Sequence, residues 1–391
     1  MENQLCDLKD LSGELLADIA ARLDGSTLAF TACTCSDLRD IAQDQSLWRQ
    51  LCYSTWPSTA LEEAQHLLSS STIIKIGGFR RIYADSYPLI LYEKPDTSDP
   101  PKPFKNQKLK HGVCPSDFAS FVDVYYKHKC IFSKVLDGIT KAVDGSEENE
   151  LGSSRGASTN DNNRWFLNSP FTLDLLNTCH DENIVDEAEI GFVNNGYDNY
   201  PYDDGDGERL APVECGKSQE DHATELMENI RLSWVLLDKR KGKAVNLSSW
   251  KPMLVKKSWP FDFDYVMHFG CVVPVEEGVV PHQLAKCIIE ARCTITEKER
   301  YPQLREIRLR IEDLAGTHVS GGKSLIILNQ TLYCSRSRNC LKVKEGYSQY
   351  EKQKEDLTKR KQFKEKLSDC LCLSTEVAVF AILFYYFIYP F

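Results

Sequence analysis

Residues 11–51 read LSGELLADIAARLDGSTLAFTACTCSDLRDIAQDQSLWRQL, and the spacing of their apolar residues decides the N-terminal fold. Leu15, Leu16, Ile19 and Leu23 recur on one helical face, with Ala20 beside them. Ser12 stands where an N-cap is needed, and Glu14 falls in the first turn, where a carboxylate suits the positive end of the helix dipole. Asp24-Gly25 ends this helix, and Ser26 is placed to cap the next. Leu28, Ala29, Ala32 and Cys33 continue the apolar pattern, and Ser36 starts another turn with Leu38 and Ile41 inward. Asp44 then precedes Leu47, Trp48 and Leu51. The stretch is a string of short helices. A module of about fifty residues has too little interior to hide all these leucines, so some of them form an exposed apolar patch of the kind that marks an interface.

Beyond this module, residues 60–92 are mixed, with helix near 60–70 and an irregular stretch through Gly77-Gly78. Pro95, Pro100, Pro101 and Pro103 make residues 94–105 an extended linker. From residue 118 the period changes. Phe121, Val122, Val124, Tyr125 and Tyr126 are β-formers, with Cys130 to Val135 as the return strand. Further strands are expected at 164–176, 231–237, 244–247, 265–273, 286–296, 306–314 and 325–332. Short strands separated by Gly, Pro, Asn and Asp indicate a mainly antiparallel, sandwich-like β domain over 106–335. Acidic or Ser/Asn/Gly-rich loops at 144–163 and 181–222 interrupt it. Residues 341–369 form a charged helix, and 371–391 an apolar one. The fold class is therefore α+β, with 8–54 as the helical module and 55–105 as a connecting segment.

Composition narrows the function. The 391 residues carry a net charge of −10, which disfavours nucleic acid as a partner. The N-terminus MENQLCDLKD lacks the basic stretch and apolar run of a secretory signal, so the fifteen cysteines read as reduced cytosolic thiols. No catalytic triad is legible among the scattered histidines, and no cofactor or metal site is expected.

Residues 11–51 resemble the F-box. Its usual pattern is Leu-Pro-x-Glu-Leu-Leu, an apolar helix, a Cys-rich turn and an apolar-Trp exit. Here Ser12 stands in place of the Pro, and Leu38 stands where many members have Trp. The resemblance implies a three-helix module that packs on the SKP-type adaptor of a cullin-RING ubiquitin ligase. It further implies adaptor-binding or core roles for Leu11, Leu15, Leu16, Ile19, Leu23, Leu28, Leu38 and Ile41, with Trp48 at the exit. The segments GGFRRIYADSYPLILY (77–92), FVDVYYKHKCIFSKV (121–135), RLSWVLLDKRKGKAVNLSSWKP (231–252) and IRLRIEDLAGTHVSGGKSLIIL (307–328) are similar to a plant F-box subfamily with a β-rich region and, in some members, a hydrophobic anchor. The expected role is recruitment of a target protein, with catalysis supplied by the ligase partner. The alternative is a ligand- or glycan-binding β module, for which Trp165, Trp234, Trp250 and Trp259 would supply stacking surfaces.

Other motifs invite over-reading. Ser320 to Ser324 approximates a phosphate-binding loop, but its first Gly is misplaced and a strand is expected after it. The acidic run Asp203 to Glu208 lacks the ligand spacing of a calcium loop. Cys33-x-Cys35 reads as core, and Cys370-x-Cys372 as inert or an S-acylation site. Asn246-Leu247-Ser248 and Asn329-Gln330-Thr331 match the glycosylation acceptor pattern but mean nothing in the cytosol.

Leu371 to Phe391 contains one charge, Glu376. A helix needs about 20 apolar residues to cross a bilayer, and this stretch meets that length. Lys359, Arg360, Lys361, Lys364 and Lys366 precede it, which keeps the N-terminal side in the cytosol. The expectation is a tail anchor holding the chain at the cytosolic face of a membrane, the endoplasmic reticulum among the candidates. Without insertion the chain belongs in cytoplasm and nucleus.

Overall fold

The computed structural model describes residues 12–94, 113–139, 166–177, 219–258, 264–295 and 301–388. The expected linker from Pro95 onward, the loop at 144–163 and residues 181–218 of the second loop lie outside these residues, as do Leu11, Trp165 and Trp259.

The N-terminal module comprises four short helices rather than three: α1 (Gly13–Ala21), α2 (Gly25–Thr31), α3 (Ser36–Ala42) and α4 (Gln45–Thr55). Their breaks are written in capping residues. Ser12 accepts the Leu15 N–H at 3.3 Å, and Asp44 accepts that of Ser46 at 2.8 Å. The second cap is Asp24, not Ser26: its carboxylate accepts the Thr27 N–H at 2.7 Å. Gly25 then opens α2 for a steric reason, since a Cβ there would lie 2.2 Å from the Tyr83 ring. A turn of 3₁₀-helix (Pro57–Ala60), α5 (Glu62–Leu68), α6 (Ser71–Ile76) and α7 (Gly78–Ser86) follow, so the stretch expected to be irregular around Gly77-Gly78 is a join between two helices.

Two sheets form the body. The first has the order β11-β1-β6-β5-β2-β3, built from β1 (Leu89–Ile90), β2 (Phe118–Tyr126), β3 (Lys129–Asp137), β5 (Ile230–Asp238), β6 (Lys243–Asn246) and β11 (Arg336–Ser337). The second has the order β4-β10-β9-β8-β7, built from β4 (Thr172–Asn177), β7 (Leu254–Lys257), β8 (Asp264–Pro274), β9 (Leu284–Thr294) and β10 (Gln303–Asp313). Pairing is antiparallel except between β1 and β6. The sheets share one core: Phe118, Val122, Val124, Leu232 and Trp234 from the first meet Met267, Phe269, Ile289, Leu309 and Ile311 from the second. This is the sandwich read from the sequence. The hairpin β2–β3 turns through Lys127 and His128, both at positive φ (47° and 65°), as the twist of a two-residue hairpin requires.

Strand β2 reads as an almost unbroken apolar run because both its faces are covered. Alternate residues serve different cores. Phe118, Val122 and Val124 face the sandwich interior, whereas Ala119 and Phe121 join Val235, Leu237 and Ala244 beneath the helices. The helical module is therefore packed on the outer face of the six-stranded sheet. Tyr83 is its aromatic centre, with ring centroids 5.5 Å from Trp48, 5.4 Å from Trp56 and 5.2 Å from Tyr87.

One buried carboxylate ties the two parts together. Asp123 of β2 is fully buried and accepts the Ser58 N–H at 2.7 Å, the Ser58 hydroxyl at 2.6 Å and the Ser133 hydroxyl at 2.6 Å. Two residues along, the Tyr125 hydroxyl donates to the Thr55 carbonyl at 2.5 Å. Burial raises the Asp123 carboxyl from 3.8 to about 6, because loss of water disfavours the charge more than the hydrogen bonds favour it.

Several sequence expectations change. Residues 325–331 belong to helix α9 (Gly321–Thr331), with Leu332 as its C-cap, not to the strand expected over 325–332. A short, continuous apolar run does not discriminate the two by periodicity, and here Leu325, Leu328 and Leu332 enter the core at helical spacing. The Ser320–Ser324 segment therefore starts a helix after all, but no phosphate cradle results. A Cβ on Gly321 would lie 2.3 Å from the Phe166 carbonyl, so this glycine serves close backbone packing. The strand expected over 164–176 begins only at Thr172. The end of the second loop is helix α8 (Gln219–Asn229), with Leu226 buried in the sandwich. Cys33 and Cys35 are exposed rather than core.

The charged and apolar C-terminal segments form one helix, α10 (Cys340–Ile388). Val343, Tyr347, Tyr350 and Leu357 dock its first part on the body. From Thr358 onward its described side chains are exposed.

Asp123 yields a pH prediction. A carboxyl raised from 3.8 to about 6 on folding stabilises the fold fully below pH 3.8, and that contribution is lost as pH rises through 6, an effect of roughly 3 kcal/mol. Asp123→Asn should flatten the dependence of urea-unfolding free energy on pH across this window. An unchanged slope would place the titration elsewhere.

Candidate protein-binding surface

The helical module sorts its apolar residues into two groups. Leu28 (1% exposed) and Trp48 (2%) belong to the core, where the Trp48 indole N–H donates to the Ala42 carbonyl at 2.7 Å. Leu16, Leu23, Leu38 and Ile41 are half-buried. Leu15 and Ile19 lie four residues apart on α1 and are 53% and 48% exposed, so they form one apolar ridge that the fold leaves uncovered. Large aliphatic side chains held in water at capped helix positions supply desolvation on contact with a partner rather than chemistry of their own.

Phe30, absent from the sequence-derived set, is 65% exposed at the end of α2. The signal was present: Leu28 and Ala32 already fill the inward face of that short helix, which leaves Phe30 pointing out. Its neighbour comes from the far end of the sequence. The Arg338 guanidinium lies 5.9 Å from the Phe30 ring centroid and donates to the Ser26 hydroxyl at 2.6 Å. The root of α10 thus meets α2, and the exposed helical surface adjoins the base of the long C-terminal helix.

The remaining candidates are not assembled into a site. Trp234 is fully buried, with its indole N–H on Ser120, and Trp250 is packed on Tyr125, so neither is a stacking platform. Asn246 accepts the Trp234 N–H, and Asn329 accepts the Lys241 ammonium; both are buried beyond reach of a glycosyl donor. Among the described residues no three His, Cys, Asp or Glu side chains are grouped to hold a metal. The outer face of the five-stranded sheet carries a lattice of paired charges, including Arg310–Glu290 at 3.2 Å and Arg292–Glu306 at 3.0 Å, with Glu290 and Glu306 themselves buried. A hydrogen bond from His268, reinforced by Arg310 and Arg292, holds the Glu290 carboxyl near 2.

Residues 13–54 match the F-box-like family model. The chain is 28% identical to F-box protein At2g27310 of Arabidopsis thaliana, over 93% of this chain and 91% of that protein. It is 27% identical to F-box protein At3g44326 of the same plant, over 95% of this chain and 86% of that one. Over 19% of this chain it is 32% identical to F-box protein GID2 of Oryza sativa subsp. japonica, spanning 34% of that protein. No solved structure matches.

Core and surface roles separate by mutation. Trp48→Ala should cost about 3–5 kcal/mol of unfolding free energy. Leu15→Ala and Ile19→Ala should each stay within about 0.5 kcal/mol of the parent. Denaturant titration of the three variants checks this, and equal losses would remove the distinction.

Proposed function

We propose that this chain, a plant F-box protein by its F-box-like segment and its similarity over most of its length to Arabidopsis F-box proteins, recruits targets to an SCF-type cullin-RING ubiquitin ligase. The observation that carries the reading is the uncovered Leu15–Ile19 ridge on a module whose core is otherwise closed. Leu15, Ile19 and Phe30 are the anchors for the SKP-type adaptor, with Leu16, Leu23, Leu38 and Ile41 completing the patch. Leu28 and Trp48 act by holding its shape. The β-sandwich presents the target, and the ligase supplies the catalysis.

The full chain should co-purify with an SKP-type adaptor. The double variant Leu15→Asp/Leu16→Asp should lose that association while keeping its circular dichroism spectrum. Retained binding in a folded double variant would sink the assignment.

The second part of the proposal is a membrane tether. Helix α10 is long and apolar enough to cross a bilayer by length and composition. Residues 371–388 span about 27 Å at 1.5 Å per residue, close to a hydrocarbon core of about 30 Å. Apolar side chains ring the helix, with Leu371, Val377, Phe380, Leu383 and Phe387 all more than half exposed. A helix that is apolar all round suits spanning, whereas one lying along a membrane surface keeps a polar face. The geometry also suits adaptor binding. From Cys340, beside Arg338 and α2, to Leu371 the helix rises about 45 Å, which holds the adaptor surface clear of the bilayer.

A fluorescent fusion of the full chain should therefore outline a membrane, and deletion of residues 371–391 should render it diffuse. A full-length fusion that is already diffuse would contradict the tether.

A further inference from the structure

Between the body and the apolar part of α10 lies a stretch that neither the adaptor surface nor the membrane span uses. Leu357 is the last residue of the helix packed on the body. Lys359, Arg360, Lys361, Lys364 and Lys366 follow on the exposed helix, with Glu365 and Asp369 as the only acidic residues before Leu371. The segment thus carries a net positive charge in a chain whose total is −10. At about 100° per residue the five cations point in different directions round the helix, so they form a collar rather than a stripe. One exposed ion pair, Lys359–Glu355 at 3.6 Å, ties the collar to the preceding turn, and such pairs hold a lysine only weakly.

We infer that this collar binds the anionic headgroups of the cytosolic leaflet. The inference rests on the membrane reading of residues 371–388 and adds the lipid class that the tether selects. Continuity and charge argue for it. Lys366 lies five residues, about 7 Å along the axis, from the start of the apolar segment, which sets it at headgroup depth when that segment is in hydrocarbon. Lys359 to Lys361 lie roughly a further 8 Å out, about one Debye length in physiological salt, where a charged leaflet is still felt. A ring of cations suits a helix that crosses the headgroup layer upright, because each long side chain reaches a phosphate on its own side. The acidic remainder of the chain is repelled by the same leaflet. The collar is therefore attractive and the body repulsive, which favours an upright stalk with the adaptor surface away from the lipid.

The test is flotation of the full chain with vesicles of phosphatidylcholine alone, or of phosphatidylcholine mixed with phosphatidylserine. The comparison variant carries Lys359→Gln, Arg360→Gln, Lys361→Gln, Lys364→Gln and Lys366→Gln. The parent should prefer the anionic vesicles by on the order of a hundredfold, for a net three charges near the surface. High salt should shrink that preference, and the variant should lose it, binding the neutral vesicles as the parent does and the anionic ones no better. Equal binding of the parent to both vesicles overturns the inference while leaving the membrane span intact. Binding to neither vesicle overturns the span and the collar together.

Discussion

A carboxylate buried inside a β-sheet governs how this molecule is assembled. Asp123 points from β2 toward the helices, and its three hydrogen bonds reach Ser58 and Ser133. An ionised group there is costly unless it is fully hydrogen-bonded, so the strand and the 3₁₀ turn after α4 are committed to one relative position. The Tyr125–Thr55 bond fixes the same junction from a neighbouring point. The helices consequently bury their inward face on the sheet rather than swinging on a linker. What they leave outside is a consequence of that docking.

The docking divides the N-terminal apolar residues by role. With Leu28, Leu47, Trp48 and Leu51 turned into the shared core, Leu15 and Ile19 remain in water on α1. The patch is held on a scaffold that extends through the six-stranded sheet to the root of α10, where Arg338 reaches α2. The exposed ridge, the body and the docked part of α10, from Val343 to Leu357, are thus one continuous packed unit. The proposed tether would therefore orient the proposed adaptor surface as well as hold the chain near lipid.

How much of this the sequence disclosed follows from the range of the interactions involved. The short helices were legible because their caps are local: Ser12 and Asp44 sit within three residues of the N–H groups they bind. The sandwich was legible because β10 alternates cleanly, with Ile307, Leu309 and Ile311 inside and Arg308, Arg310 and Glu312 on the paired outer lattice. Residues 325–332 misled because Leu-Ile-Ile-Leu satisfies both periods, and only the surrounding core selects the helix. Helix α8 was hidden by its polar composition, although Ala223 and Leu226 carried a helical spacing. The division between ridge and core depends on contacts from Tyr83, and the neighbour that Phe30 meets is Arg338, both far away in sequence. Asp123 offered the clearest overlooked signal, since a lone acid in an apolar strand calls for a partner.

The central claim is that the face of α1 and α2 meets the adaptor while the sandwich stays free. Hydrogen exchange of the full chain with and without bound SKP-type adaptor measures this directly. The account predicts slower exchange in peptides covering residues 13–42 and no change across β2, β5 and the five-stranded sheet. Protection confined to the sandwich, with residues 13–42 unchanged, would contradict it.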